Sequence, residues 1–192
     1  MHPKLLLAAK ISINITINTK QMNIAELFGN KSIKPKQKTE ILSKHLLSKT
    51  INTDNLIAFA ATAKDSDCAT CIEALEFAGK QQPAIADEKV FQFVTQSLMA
   101  KAPRVQWESA KVIGNTAHLF TNQLDDAIKN LLVNTEHPGT VVRWSAAFAL
   151  GEIVKLKTKH NKNLLPAIEA IIKREEQNSI KKIYLAAVKS GL

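Results

Sequence analysis

Along much of this chain apolar side chains return every three or four residues, with polar ones between. Val90, Phe93, Val94 and Leu98 form one such stripe. Leu124, Ala127, Ile128, Leu131 and Leu132 form a second, and Leu164, Ala167, Ile168, Ile171 and Ile172 a third. This is the spacing of an amphipathic helix with one buried face. Prolines and glycines fall between the stripes, at Gln82-Pro83, Pro103 and Pro138-Gly139, where a proline ends a helix without removing a hydrogen bond. The pattern predicts helices over 37–49 and 53–64, 67–79 and 87–100, 104–119 and 122–134, 140–156 and 162–175, and a last one over 178–191.

The helices repeat. Val105 to Gly114 and Val142 to Gly151 align without a gap at an offset of 37, placing Trp107, Ala110 and Gly114 with Trp144, Ala147 and Gly151. At an offset of 36, Cys71, Ala74, Phe77 and Ala78 take the places of Trp107, Ala110, Ile113 and Gly114. Ile180 to Val188 continues the apolar spacing downstream at an offset of about 38. The second and third apolar stripes recur at 40, a difference assigned to three extra loop residues within 155–162. Each unit therefore reads as an antiparallel helix pair. One pair cannot bury its own apolar face, so neighbours must stack. Glycine inside a helix costs about 1 kcal/mol relative to alanine. Its return at Gly114 and Gly151 predicts a close approach of helices there.

The run Glu136-His-Pro-Gly-Thr-Val-Val-Arg-Trp-Ser-Ala-Ala-Phe-Ala-Leu-Gly-Glu-Ile153 resembles the HEAT-like repeat first described in phycobilisome lyases, with its turn, Val-Arg, paired alanines and Ala-Leu-Gly-x-Ile. The resemblance covers about residues 65–192. It implies an all-α, α-α superhelix of about four helix pairs plus a C-terminal capping helix, with the second helices lining a concave face. Side chains opposite the buried stripes of those second helices are Gln92, Gln96, Asp126, Asn130, Lys173 and Arg174, which become the expected partner contacts.

The first 35 residues follow another pattern. Ile11, Ile13, Ile15 and Ile17 alternate with polar residues, a period-two strand signal. Met22 offers an alternative start, so residues 1–21 read as an upstream extension or loosely attached arm. Lys31, Lys34, Lys36 and Lys38 read as a solvated leader. The division expected is 1–35 as extension and basic leader, and 36–192 as the repeat domain.

Composition narrows the function. The net charge of +9 divides as +7 over residues 1–50, −4 over 51–100, +1 over 101–150 and +5 over 151–192. A groove for a phosphate backbone wants lysine and arginine along its whole length. No apolar run is long enough to span a bilayer or form a signal-peptide core, and two cysteines suit a reducing compartment, so a cytoplasmic protein without membrane contact is expected.

Candidate chemistry is sparse. Cys68-x-x-Cys71 lacks the further ligands of a zinc site and the βαβ setting of a redox pair. The HEAT-like deoxyhypusine hydroxylases bind di-iron through His-Glu pairs; Trp107-Glu108 and Trp144-Ser145 stand at those positions, so the histidine is missing. Asp125-Asp126 reads as first-turn acids stabilising a helix dipole. No catalytic residue, metal or cofactor is expected, and a non-enzymatic scaffold for another protein is the leading reading. A DNA-binding or repair module resembling the HEAT-like alkylpurine DNA glycosylases is the alternative, with Trp107 and Trp144 inviting the comparison and structural packing favoured for both.

Overall fold

The computed structural model describes residues 22–191. The alternating isoleucines at 11–17 lie outside the described residues.

Ten α-helices follow one another: α1 (Ile24–Gly29), α2 (Pro35–Leu47), α3 (Thr53–Thr62), α4 (Asp65–Gln81), α5 (Glu88–Ser97), α6 (Pro103–Thr116), α7 (Asp125–Asn134), α8 (Thr140–Lys155), α9 (Asn161–Arg174) and α10 (Asn178–Gly191), with no strand among the described residues. Local chemistry accounts for the starts. Asn23, Asn52 and Asp87 each accept a hydrogen bond from the backbone N–H three residues on, at 3.2, 2.8 and 2.9 Å. Pro35 and Pro103 open α2 and α6, where their missing N–H is not needed.

From α2 on, the helices form two rows. First helices α2, α4, α6, α8 and α10 lie side by side along most of their length, whereas second helices α3, α5, α7 and α9 meet one another at fewer points. The core fills the space between the rows, with Leu42, Leu56, Ile72, Leu98, Ile113, Leu124, Leu131, Leu150, Ile153, Leu164, Ile168 and Tyr184 fully buried. On α5 the inward aromatic is Phe91, stacked on Phe120 with ring centroids 4.4 Å apart, while Phe93 stays half-buried.

The close approach read from the glycines is present. A Cβ on Gly114 would lie 2.9 Å from Phe148 Cδ1 and 3.2 Å from the Ala149 Cα of α8. One on Gly151 would lie 3.3 Å from Ala187 Cβ of α10. Ala110 and Ala147 are likewise buried, and α6 and α8 match in burial through the aligned stretch except that Trp107 is half-buried where Trp144 is exposed. The α4 copy does not match at an offset of 36, since Phe77 is exposed where Ile113 is buried. Burial matches instead at an offset of 38, which also aligns the helix starts at Asp65 and Pro103: residues 70, 71, 72, 74, 75, 76, 78 and 79 all stand with buried residues of α6 and the turn after it, and Glu73 and Phe77 stand with Lys111 and Asn115. Short apolar residues along α4 gave no landmark to fix that register.

Two further expectations change. The three extra residues near 160 are not loop: α9 starts at Asn161, so they add a turn to its N-terminus. Asn161 holds that turn in place, its Nδ2 donating to Val154 O at 2.8 Å. In the expected leader, α1 packs on α3 with Phe28 stacked on Phe59 at 4.8 Å, and Lys38 is buried, donating from Nζ to Phe28 O at 2.8 Å.

Arginine at the Val-Arg position stitches the units. Arg143 pairs with Glu175 at the end of α9, Nε to Oε2 at 2.9 Å and Nη2 to Oε1 at 3.3 Å, while Nη1 donates to His137 O at 3.0 Å. One repeat earlier Gln106 does part of the same work, Nε2 donating to Ala100 O at 2.8 Å. Burial works to raise the Glu175 pKa, but the bonds from Arg143 and from the backbone N–H groups of Gln177 and Glu176 outweigh it and hold the carboxyl below its usual range.

Candidate functional site

Four aromatic residues sit on the outer surface of the first-helix row. The other six are spent on stacked pairs or core contacts: Phe28 with Phe59, Phe91 with Phe120, and Phe93 and Tyr184 against the core. Phe77 on α4 is 40% exposed and Trp144 on α8 is 41% exposed. Phe148, one turn on from Trp144, stacks near-parallel to it at 6.1 Å and covers Gly114 on α6. Trp107 on α6 is half-buried, and Val141 beside Trp144 is 52% exposed. The two tryptophans thus share a repeat position and an outward direction. Large apolar groups left on a surface mark a place where another molecule can gain burial.

A charged network lies beside them. Glu73 Oε2 accepts from Thr39 Oγ1 at 2.7 Å and from Arg104 Nη2 at 2.9 Å, joining α2, α4 and α6. Glu108 is buried; its Oε1 accepts from Trp107 Nε1 at 2.8 Å and its Oε2 from Lys111 Nζ at 2.9 Å. Lys111 also reaches Glu76 Oε2 at 3.6 Å, and Asn115 Nδ2 donates to Glu76 Oε1 at 3.5 Å. Burial works to lower the Lys111 pKa, but Glu108, Glu76 and Glu73 outweigh it and raise it. Three carboxylates therefore hold two cations in fixed positions. The arrangement supplies rigid charge for recognition, with each acid already engaged.

The second-helix row presents grooves. One of about 510 Å³ between α5 and α7 is lined by Glu88, Phe91, Gln92, Thr95, Gln123, Asp125 and Asp126. Of the six residues expected to touch a partner, Gln92 and Asp126 line this groove, and Gln96 and Lys173 are exposed on neighbouring surface. Asn130 and Arg174 are engaged within the fold. Asn130 Nδ2 donates to Thr95 O at 3.0 Å, and Arg174 Nη2 donates to Thr135 Oγ1 at 3.2 Å and pairs with Glu136.

Cys71 is buried and Cys68 half-buried on α4, and burial raises both thiol pKa values. Among the described residues no three His, Cys, Asp or Glu side chains stand close enough to hold a metal ion, and no helix is long and apolar enough to cross a membrane.

What sequence reasoning missed is the exposed aromatic surface. The signal was available: a tryptophan recurring at a position flanked by Val, Arg, Ser and Ala on one helix can point outward as readily as inward, and only the phase of the neighbouring buried residues decides.

Two close-set rows of antiparallel helices define a helical-repeat solenoid of the armadillo and HEAT-like kind. The chain is similar in structure to the designed armadillo repeat protein YIII(Dq.V1)4CPAF in complex with the peptide (KR)4, with a TM-score of 0.70, 16% identity, and coverage of 88% of this chain and 80% of that one. It is also similar to the complex of CpcE and CpcF of phycocyanin lyase from Nostoc sp. PCC7120, with a TM-score of 0.65, 18% identity, and coverage of 85% and 96%. At these identities the likeness shows the fold alone. No protein-family model and no curated protein matches the chain.

Proposed function

We propose that this protein is a non-enzymatic scaffold that holds a segment of a partner protein across the outer surface of its first-helix row. The observation that carries this reading is the placement of Phe77, Trp107, Trp144 and Phe148 on successive first helices, in a chain that spends every other aromatic residue on its own packing. Aromatic anchors surrounded by fixed polar groups are the usual centres of binding energy in protein interfaces. A stack also bends toward its more tightly spaced row, and here the first helices are the closer set. On that argument the concave side of the stack is the face of the first-helix row turned away from the second helices, where the expectation had put the second helices. Both structural neighbours were solved with a peptide or protein partner, which supports the class of ligand. Two free thiols suit a reducing compartment, and we extend the proposal to the cytoplasm.

Affinity capture from native lysate tests it with three baits: the unaltered chain, Phe77→Ala/Trp144→Ala, and Gln92→Ala/Asp126→Ala. The expected result is a discrete protein retained by the first and third baits and lost by the second. Loss with the third bait alone returns the site to the second-helix groove.

A second reading, nucleic-acid binding by a module resembling the alkylpurine DNA glycosylases, draws on the same exposed Trp144, because an open indole can stack on a base. It requires DNA affinity that falls steeply with salt. Polarisation titrations at low and moderate salt separate the readings, and no binding at low salt removes this one.

A further inference from the structure

The turn added to the start of α9 changes the charge of one corner of the molecule. Residues 153–168 carry Lys155, Lys157, Lys159 and Lys162 and no acid, whereas the matching connection one repeat earlier, 117–124, carries no lysine or arginine. Helix α10 adds Lys181, Lys182 and Lys189, again with no acid. Packing brings the last turn of α10 to this corner, with Lys181 and Lys182 at the helix's other end: Gly191 lies against Val154 at the end of α8, and a Cβ on it would stand 3.6 Å from Asn161 Nδ2. Lys189 therefore shares the corner with the α8–α9 connection. Lys155 is paired with Glu152 at 2.6 Å, but Lys157, Lys159, Lys162 and Lys189 are exposed and in no ion pair among the described residues.

We propose that this corner is a second interaction surface, separate from the aromatic one, and that its ligand is a short acidic segment of a polypeptide. Charge complementarity gives the sign, and the surroundings give the kind. Second helices all begin along the same edge, as contacts between their N-terminal turns show: Lys89 with Asp54, Gln123 with Glu88, and His160 with Asp125. Moving along that edge from α9, the charge reverses at once to Asp125 and Asp126 on α7 and to Asp87 and Glu88 on α5. A nucleic acid carries its charge evenly along its length and would meet repulsion after a few phosphates. A polypeptide can confine its acids to the few residues that face the lysines. The corner also lacks arginine, which forks phosphate, and residues 153–163 hold no Phe, Tyr or Trp for base stacking, while the His160 ring is buried.

The test is fluorescence polarisation with a labelled octaglutamate peptide and, in parallel, a labelled short DNA duplex, each at low and moderate salt. Lys159→Glu/Lys162→Glu/Lys189→Glu leaves the left-handed backbone of Lys157 untouched. Lys31→Glu/Lys36→Glu/Lys44→Glu makes the same change in net charge at the far end of the stack. Circular dichroism melts confirm that both variants fold. The expected result is peptide binding that weakens at least ~10-fold in the corner variant, changes less than about twofold in the distal variant, and is unaffected by Trp144→Ala. Equal weakening in both charge variants, or no binding at low salt, overturns the proposal. Tighter binding of the duplex through the same three lysines overturns it too and assigns the corner to phosphate backbones.

Discussion

Replacing Gly114 by alanine sets two opposing effects against each other. Removing a glycine from a helix interior stabilises by up to about 1 kcal/mol. The new methyl, however, would sit 2.5 Å from Phe148 Cε1 and 3.2 Å from the Ala149 Cα. Phe148 can rotate partly away, since it is half-buried, but the Ala149 backbone moves only if α8 moves. Overpacking of this kind costs about 1–3 kcal/mol, so the net expectation is destabilisation by about 1 kcal/mol. Gly79 gives the opposite case, because its added Cβ would meet only Thr116 Cγ2 at an ordinary 3.6 Å, and the helix-propensity gain should dominate. Gly151, with Ala187 Cβ at 3.3 Å, should fall between and near zero. Urea and thermal melts followed by circular dichroism should rank G79A above the unaltered chain, G151A close to it and G114A below. For a chain of this size about 1 kcal/mol corresponds to ~2–4 °C in Tm. Finding G114A at least as stable as the parent, or G79A as damaging as G114A, would refute the argument that close helix approach placed these glycines.

Three other outcomes can be checked separately. Arg143→Ala leaves the Glu175 side chain, 4% exposed, without its charge partner, and should destabilise by about 3 kcal/mol in urea melts, several times the loss from Gln106→Ala. The Glu175 carboxyl has a lower pKa folded than unfolded, so its contribution is present above about pH 4.3, the unfolded value, and fades as pH falls through the folded one. Glu175→Gln should therefore flatten the acid limb of a stability against pH plot, and an unchanged slope would contradict the assignment. Cys71 is buried with a raised pKa, so an aromatic disulfide reagent at pH 8 should leave it unmodified in the native state and label it on unfolding.

The fold was legible because its information is periodic. Apolar spacing located the second helices within a few residues, and the Trp-Ala-Gly alignment of α6 and α8 survives in the structure residue by residue. Where copies diverge, as between Cys71-Ala74-Ala78 and Trp107-Ala110-Gly114, small residues left the register open by two. The expected start of α9 lies within one residue of the observed one, but the three extra residues were assigned to the loop because nothing in the pattern shows that α7 begins only at Asp125 while Asn161, bonded to Val154 O, opens α9 a turn earlier in the repeat. Candidate contacts were harder. Exposure on a helix follows from pattern, but whether a polar side chain is free or engaged across helices does not, so Asn130 looked available while bonding Thr95 O. The charged network of Glu73, Glu76, Glu108, Arg104 and Lys111 joins residues some 30 positions apart in sequence, and no local pattern announces it.

Site-specific photo-crosslinking tests the proposed scaffold most directly, with benzoylphenylalanine placed at position 144 in one protein and at position 92 in another. Irradiation in native lysate should yield a discrete polypeptide adduct from position 144 and none from position 92. An adduct from position 92 alone, or nucleic acid attached at 144, would contradict the account.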